Sequence, residues 1–447
     1  MKHLDRREFI KLSSAALGGI ILTGCAGGSS NRTTQFPNGY RFYRVKSNGE
    51  NVGGSGRALQ VNLFYGSAFI SSNGIISFDA MDGNKRRGIF QLGMDFSGDK
   101  PRVEWERAAL LTGDRLADQR VVSTYKSFDI DGNGNIAAII DADLRYSENH
   151  YGSGLYMTFD QQGFQPVLTA GQAFNGGDLQ SSGIFGDVSV TNTGILASAN
   201  HLPVGEQQSS PKNSLIYMPN ASVDSSAILT SAGAIVVGTD HQISSFGLID
   251  HNESGDYCAG VFSTNSGLAA SQNGAEQINF NIAGNINAPR DMQLMTASPG
   301  AGVNGLAVSG EAGYGTRVGP NGEIYALLDN DDQMALIQGN TTILSSGQKT
   351  ANGKLLGITT GSVGADGTYY YSGITEKNGK PCSTLFAFNG QDHSPIIASG
   401  DVLSDGGAPV EHILFGTTTK HVDDENRLVL FCFFADGSTS LVVGTPS

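Results

Sequence analysis

DGNGNIAAII, residues 131–140, is a polar turn that runs into an apolar strand, and the same pairing returns along the chain. SSNGIISF stands at 71–78, VTNTGILAS at 190–198, NESGDYCAGVF at 252–262, GPNGEIYALL at 319–328, GADGTYYYSG at 364–373 and DDENRLVLFCFF at 423–434. The turn glycines are 74, 134, 194, 255, 322 and 367, with Asn426 or Arg427 at the last place, and the spacing is mostly about 60 residues. Asx-x-x-Gly suits a tight hairpin: the Asx side chain accepts local backbone bonds, and glycine supplies positive φ.

A second series interleaves with the first. LLTGD ends at Asp114, LTAGQ at Gln172, ILTSAG at Gly233, ILSSGQ at Gln348 and IIASGD at Asp401, with a weaker copy, LMTASPG, ending at Gly300. Two series in constant order define a repeating unit. In the third unit, VSV (188–190) leads through the turn to ILASAN, SLIYMP (214–219) and SAILT (226–230), which reads as four short strands. Seven such units predict an all-β chain folded as a β-propeller of seven four-stranded blades. Two stacked β domains are the alternative. The last unit ends near residue 445 after three strands, and YRFYRVKS (40–47) is expected to supply its fourth, closing the ring without an open edge. Almost no helix is expected. RVEWERAALLT (102–112) has mixed periodicity, but it lies where units carry their third and fourth strands.

Glycine is 61 of 447 residues, near twice the usual ~7%. The formal charge is −14, so a nucleic-acid partner, which needs clustered Lys and Arg, is not expected. Cys258, Cys382 and Cys432 sit in strand-like contexts without metal-binding spacing, and read as buried free thiols.

The N-terminus carries a different kind of information. Asp5-Arg6-Arg7-Glu8-Phe9-Ile10-Lys11 resembles the twin-arginine export signal of bacteria: Arg6 and Arg7 are consecutive, Phe9 follows two places on, then Lys11. The apolar stretch from Ala15 to Leu22 is too short to span a bilayer as a helix, which takes about 20 residues. Leu22-Thr23-Gly24-Cys25 resembles a lipobox. The resemblance implies a signal peptide over 1–24 and a lipid on Cys25; the Gly/Ser/Thr/Asn-rich stretch 25–38 reads as a flexible leash, and the repeats assign 39–447 to the propeller. The resemblance further implies export through the twin-arginine pathway and a membrane-anchored lipoprotein on the periplasmic or surface side. With Ala26 after the cysteine, the outer membrane is expected where the cell has one. Two or more acyl chains anchor stably, at ~0.8 kcal/mol per buried methylene. The repeats are similar to those of uncharacterised exported bacterial proteins with N-x-x-G-x-(apolar) and later G-D/Q-x-(apolar) units, best seen at Ser399–Gly407. That similarity implies the fold and no activity.

No catalytic motif is legible. Asp129, Asp131 and Asn133 match the first half of a calcium loop, but Ile140 stands where the closing Glu belongs; a plain hairpin turn is the competing reading, and no other cofactor is expected. Asp240-His241, Asp250-His251, Asp392-His393 and Glu411-His412 pair an acid with a histidine, and read as surface turns. The acidic runs 329–332 and 423–425 read as solvated turns. The connection after each unit's second strand varies (79–88, 143–154, 200–213), as do those around the Gly-Asp/Gln series. In a propeller both emerge on one face, and variable loops on a rigid frame carry binding. Arg145, His150, Tyr151, His201 and His412 are the ligand-face candidates. The expected function is a monomeric binding module for an envelope protein or glycan. An exported enzyme acting on a glycan or ester is the alternative.

Overall fold

The computed structural model describes residues 39–52, 59–62, 67–143, 151–160, 162–174, 179–204, 211–235, 241–265, 278–294, 317–329, 334–339, 341–415 and 420–447. The export signal, Cys25, the leash, Arg145, His150 and most of the run 329–332 lie outside them, as does the side chain of Tyr151.

The described residues form seven antiparallel sheets and no helix. Each sheet is one blade built around four strands. The innermost strands are Ala68–Ile70, Val121–Ile130, Leu179–Thr191, His241–His251, Arg317–Val318, Gly353–Val363 and Val410–Leu414. They belong to blades 1 to 7 in chain order. In blade 1 the inner position is split, because Leu59–Asn62 also pairs with the second strand. Arg102–Leu111 is a strand, the outermost of blade 1. Its mixed periodicity follows from that place, where much of the strand faces solvent.

The ring closes as expected. Tyr40–Ser47 pairs antiparallel with Thr439–Pro446 and forms the outer strand of blade 7. Phe42 is fully buried there, and the Tyr40 hydroxyl donates to the Asn426 carbonyl at 2.8 Å.

Blades pack face to face through one apolar cluster at each interface. Phe78 and Phe90 of blade 1 meet Val429 and Phe431 of blade 7, while Phe69 and Ile89 of blade 1 meet Tyr125 and Phe128 of blade 2. Both faces of a blade are therefore buried, which is why strands such as 136–140 (IAAII) read as continuous apolar runs.

The repeated turn has one geometry in six blades. The N–H of the fourth residue donates to the carbonyl of the first, as in Gly134 to Asp131 and Gly255 to Asn252. Gly74, Gly134, Gly255, Gly322, Gly367 and Asn426 all have positive φ, a type I turn with a left-handed bulge. The first side chain caps it: Asp131 Oδ1 accepts the N–H groups of Asn133 and Asn135 at 2.9 and 2.8 Å. Blade 3 departs from the pattern. Thr191 pairs directly with Gly194 across a two-residue turn, so Gly194 does not need positive φ. It needs glycine for another reason, since a Cβ there would lie 2.6 Å from the Met218 carbonyl.

The Gly-Asp/Gln series is also structural. Gly113, Gly171, Gly233, Gly347 and Gly400 have positive φ and donate their N–H to the first strand of the next blade. The following side chain reaches back: Asp114 accepts from Leu111 N–H at 2.8 Å, Gln172 from Thr169 at 3.0 Å and Asp401 from Ala398 at 2.8 Å. Both sequence signatures are thus the hinges of the repeat, one at each end of a blade.

Cys258 and Cys432 are free and buried, as expected. Cys382 is a correction: it is buried, but the free-thiol reading does not hold for it.

Candidate functional site

Side chains alternate along a strand, so the residue two places before each hairpin turn points the same way in every blade. These residues are Phe69, Asp129, Ser189, Asp250, Arg317, Ser362 and His421, and they surround the propeller axis. All seven are buried. Two acids, one arginine and a histidine thus share a layer inside the channel, and Lys420 reaches into it.

The charges there hold one another. Lys420 Nζ donates to Asp129 Oδ2 at 2.8 Å and to the carbonyls of Ile130 and Val190. Asp129 Oδ2 also accepts the Val190 N–H at 2.8 Å. Asp250 Oδ2 accepts the Val318 N–H at 2.9 Å, and Arg317 Nε donates to the Gly361 carbonyl at 2.8 Å. Burial raises Asp250 to about 6, against the pull of Arg317. Burial likewise raises Asp187, one turn of the pleat further in, to about 6, with the Asp129 charge adding to the rise. His251 is lowered by burial, then by the Lys420 charge, to about 3. Its Nδ1 lies 2.9 Å from Ser189 Oγ and its Nε2 3.2 Å from Thr191 Oγ1.

Two cavities flank this layer. One of about 260 Å³ opens at the hairpin-turn end, where Asp131, Asn192, Glu253 and Asp424 rim it and Lys420 and Asp250 form its floor. Its rim is knitted together. Asn73 Nδ2 donates to the Asn133 carbonyl, Asn133 Nδ2 to Asn192 Oδ1, and Asn192 N–H to Glu253 Oε1. Asn252 Nδ2 donates to the Gly319 carbonyl, and an Arg427 guanidinium N–H to the Ser72 carbonyl. The other cavity, of about 160 Å³, lies toward the variable-loop end and is lined by Phe69, Asp79, Arg87, Lys126, Phe128, Asp129 and Asp187, among others.

The sequence-derived candidates are placed as follows. His201 is buried in blade 3, its Nε2 2.7 Å from Ser214 Oγ, and His412 is buried in blade 7 beside the Phe433 ring. Neither lines a described cavity. Burial lowers His412 to about 4. Asp129, Asp131 and Asn133 send their side chains to three different partners: Lys420, the turn's own N–H groups and Asn192. Among the described residues no three His, Cys, Asp or Glu side chains gather as a metal site would require. The surface-turn reading fails for His251 and His412, because their strands run through blade interiors. The solvated reading fails for Asp423, which is buried and paired with Arg427 Nε at 2.5 Å. Asp187, Arg317, His421 and Lys420 went unnoticed in the sequence. Counting two and four places back from each hairpin turn would have found the first three.

No protein-family model matches this chain, and no curated protein matches it. Solved structures similar to it include a protein of unknown function from Dyadobacter fermentans DSM 18053, at 10% identity over 90% of this chain and 98% of that chain, with a TM-score of 0.35. The GH93 α-L-arabinofuranosidase of Fusarium graminearum matches at 6% identity over 90% of this chain and 98% of that chain, TM-score 0.32. A luciferin-regenerating enzyme matches at 6% identity over 74% of this chain and 94% of that chain, TM-score 0.31. At such TM-scores these likenesses carry nothing about activity, and the fold rests on the seven sheets themselves.

Proposed function

We propose that this chain is an exported, lipid-anchored binding module of a bacterial cell envelope, which takes a protein or glycan ligand on its variable-loop face. Arg6 and Arg7 direct its export, and a lipid on Cys25 tethers it. The observation that carries the reading is the contrast between the two ends of the axis. At the hairpin-turn end, polar side chains are committed to turn-to-turn hydrogen bonds around the ring. At the other end the connections vary in length and chemistry. A rigid frame with variable loops is the usual arrangement for recognition.

The raised Asp187 and Asp250, both at about 6, favour a second reading as a glycan- or ester-acting hydrolase, since a carboxyl in that range can deliver a proton near neutral pH. Hydrolysis abolished by Asp187→Asn or Asp250→Asn would select it.

The test of the first reading has two parts. Cys25→Ser is expected to release the protein from the membrane fraction, and Arg6→Lys with Arg7→Lys to block export; unchanged fractionation would reject the anchor and the route. Short Gly-Asn turns in place of 143–154 and 200–213 are expected to keep the fold and lose pull-down of envelope components. Capture retained without these loops would reject the loop face.

A further inference from the structure

We propose that the loop-face cavity binds a small primary amine as its ammonium ion, with Asp129 Oδ1 and the Asp187 carboxylate accepting its N–H groups beside the rings of Phe69 and Phe128. The proposal rests on the loop face being the ligand face, and names the chemistry of what that face takes.

Four observations converge. The Asp129 side chain is 2% exposed, and its Oδ1 has no hydrogen-bond partner, although Oδ2 has two. A buried carboxylate oxygen left without a partner is costly and calls for a donor. Next, the cations near it are taken. Arg87 is held by Asp79 at 2.6 Å, Lys126 by Asp141 at 3.3 Å and Lys420 by Asp129 Oδ2 at 2.8 Å. Asp79 is satisfied by Arg87 and by the Tyr125 hydroxyl at 2.5 Å. The Asp129 charge opposes ionisation of Asp187, so a cation between the two would relieve both. Third, beside Ser67 and Ser127, one side of the wall is apolar. Phe69 and Phe128, with ring centroids 4.7 Å apart, Val188 and Leu248 line the same space. Aromatic rings attract an ammonium group, and aliphatic walls suit the carbon chain behind it. Fourth, the room is about 160 Å³, enough for a small amine.

The same wall disfavours a metal ion. A calcium ion takes six to eight oxygen ligands, and magnesium keeps an octahedral shell. Phe69, Phe128, Val188 and Leu248 supply no side-chain oxygens, and Asp79 is already held by Arg87 and Tyr125, which leaves the two acids with Ser67 and Ser127. An ammonium group has three N–H donors and needs only a few acceptors.

The experiment is calorimetric titration of the soluble wild-type chain with ethylammonium chloride at pH 7.5 and low salt. Saturable 1:1 binding is expected, weakened at least tenfold by Asp187→Asn. Tetramethylammonium, which keeps the charge but has no N–H, is expected to bind at least tenfold more weakly than ethylammonium. That arm uses the wild-type chain alone and stands even if the variant fails to fold. Absence of saturable binding, equal affinity in a folded Asp187→Asn protein, equal binding of tetramethylammonium, or displacement by equimolar potassium would each overturn the proposal. If ethylammonium fails while the loop-dependent pull-down persists, the amine is wrong and the loop face stands. If ethylammonium binds while pull-down survives the loop grafts, the binding-face reading fails and the amine site stands.

Discussion

Deleting residues 39–48 is expected to lower the unfolding free energy by at least about 5 kcal/mol. Removing one buried phenylalanine side chain alone costs about 3–5 kcal/mol, and Phe42 is fully buried between blades 6 and 7. The deletion also removes the backbone ladder from Tyr40↔Pro446 to Ser47↔Ser440, the Lys46–Glu106 ion pair at 2.6 Å and the Arg44–Asp405 pair at 3.2 Å. It leaves Thr439–Pro446 as an open edge, which invites association between chains. Urea unfolding of the deleted and intact proteins measures the loss, and size-exclusion chromatography reads the association. An unchanged unfolding midpoint would show that blade 7 does not depend on its N-terminal strand. Phe42→Ala is the smaller control and should cost about 3–5 kcal/mol.

Acidification from pH 7 to pH 4.5 is expected to cost on the order of 4 kcal/mol of stability. Burial lowers His251 and His421 to about 3 and His412 to about 4, from an ordinary 6.5. The unfolded chain protonates these histidines below pH 6.5 while the folded chain resists, so their contribution is lost as pH falls from 6.5 toward 4. Asp187 and Asp250, raised to about 6 from 3.8, work in the opposite sense. They take up protons in the folded state between pH 6 and 4, which stabilises the fold as pH falls. Three histidines with the larger shifts outweigh two aspartates. Urea titrations at the two pH values check the sign; equal or greater stability at pH 4.5 would contradict it.

The ring was legible because the hairpin turn constrains its own sequence. A type I turn with a left-handed fourth residue selects glycine, and its first position selects a side chain that can cap, so the motif survives in Asp131, Asn252 and Asp423 alike. The missing strand of the last blade was legible by counting. The axial layer was not. Asp129, Asp250, Arg317 and His421 have unlike chemistry at one register, and they meet only when strands about 60 residues apart converge on an axis. His251 looked like a turn residue because Asn252 follows it, yet it ends an inner strand. The Gly-Asp/Gln series was visible as a pattern, but its role as a backbone cap emerged only from the bonds of Asp114, Gln172 and Asp401.

Under the proposed function, partners meet the variable-loop face and not the hairpin-turn face. Asn84 and Asn133 are exposed turn residues at opposite ends of the blades, the first after a second strand, the second after a first strand. A photo-reactive benzophenone side chain placed at each, in cells, tests the claim in one measurement. Cross-linking to an envelope component from position 84 and not from position 133 is the expected result; cross-linking from 133 alone would contradict it.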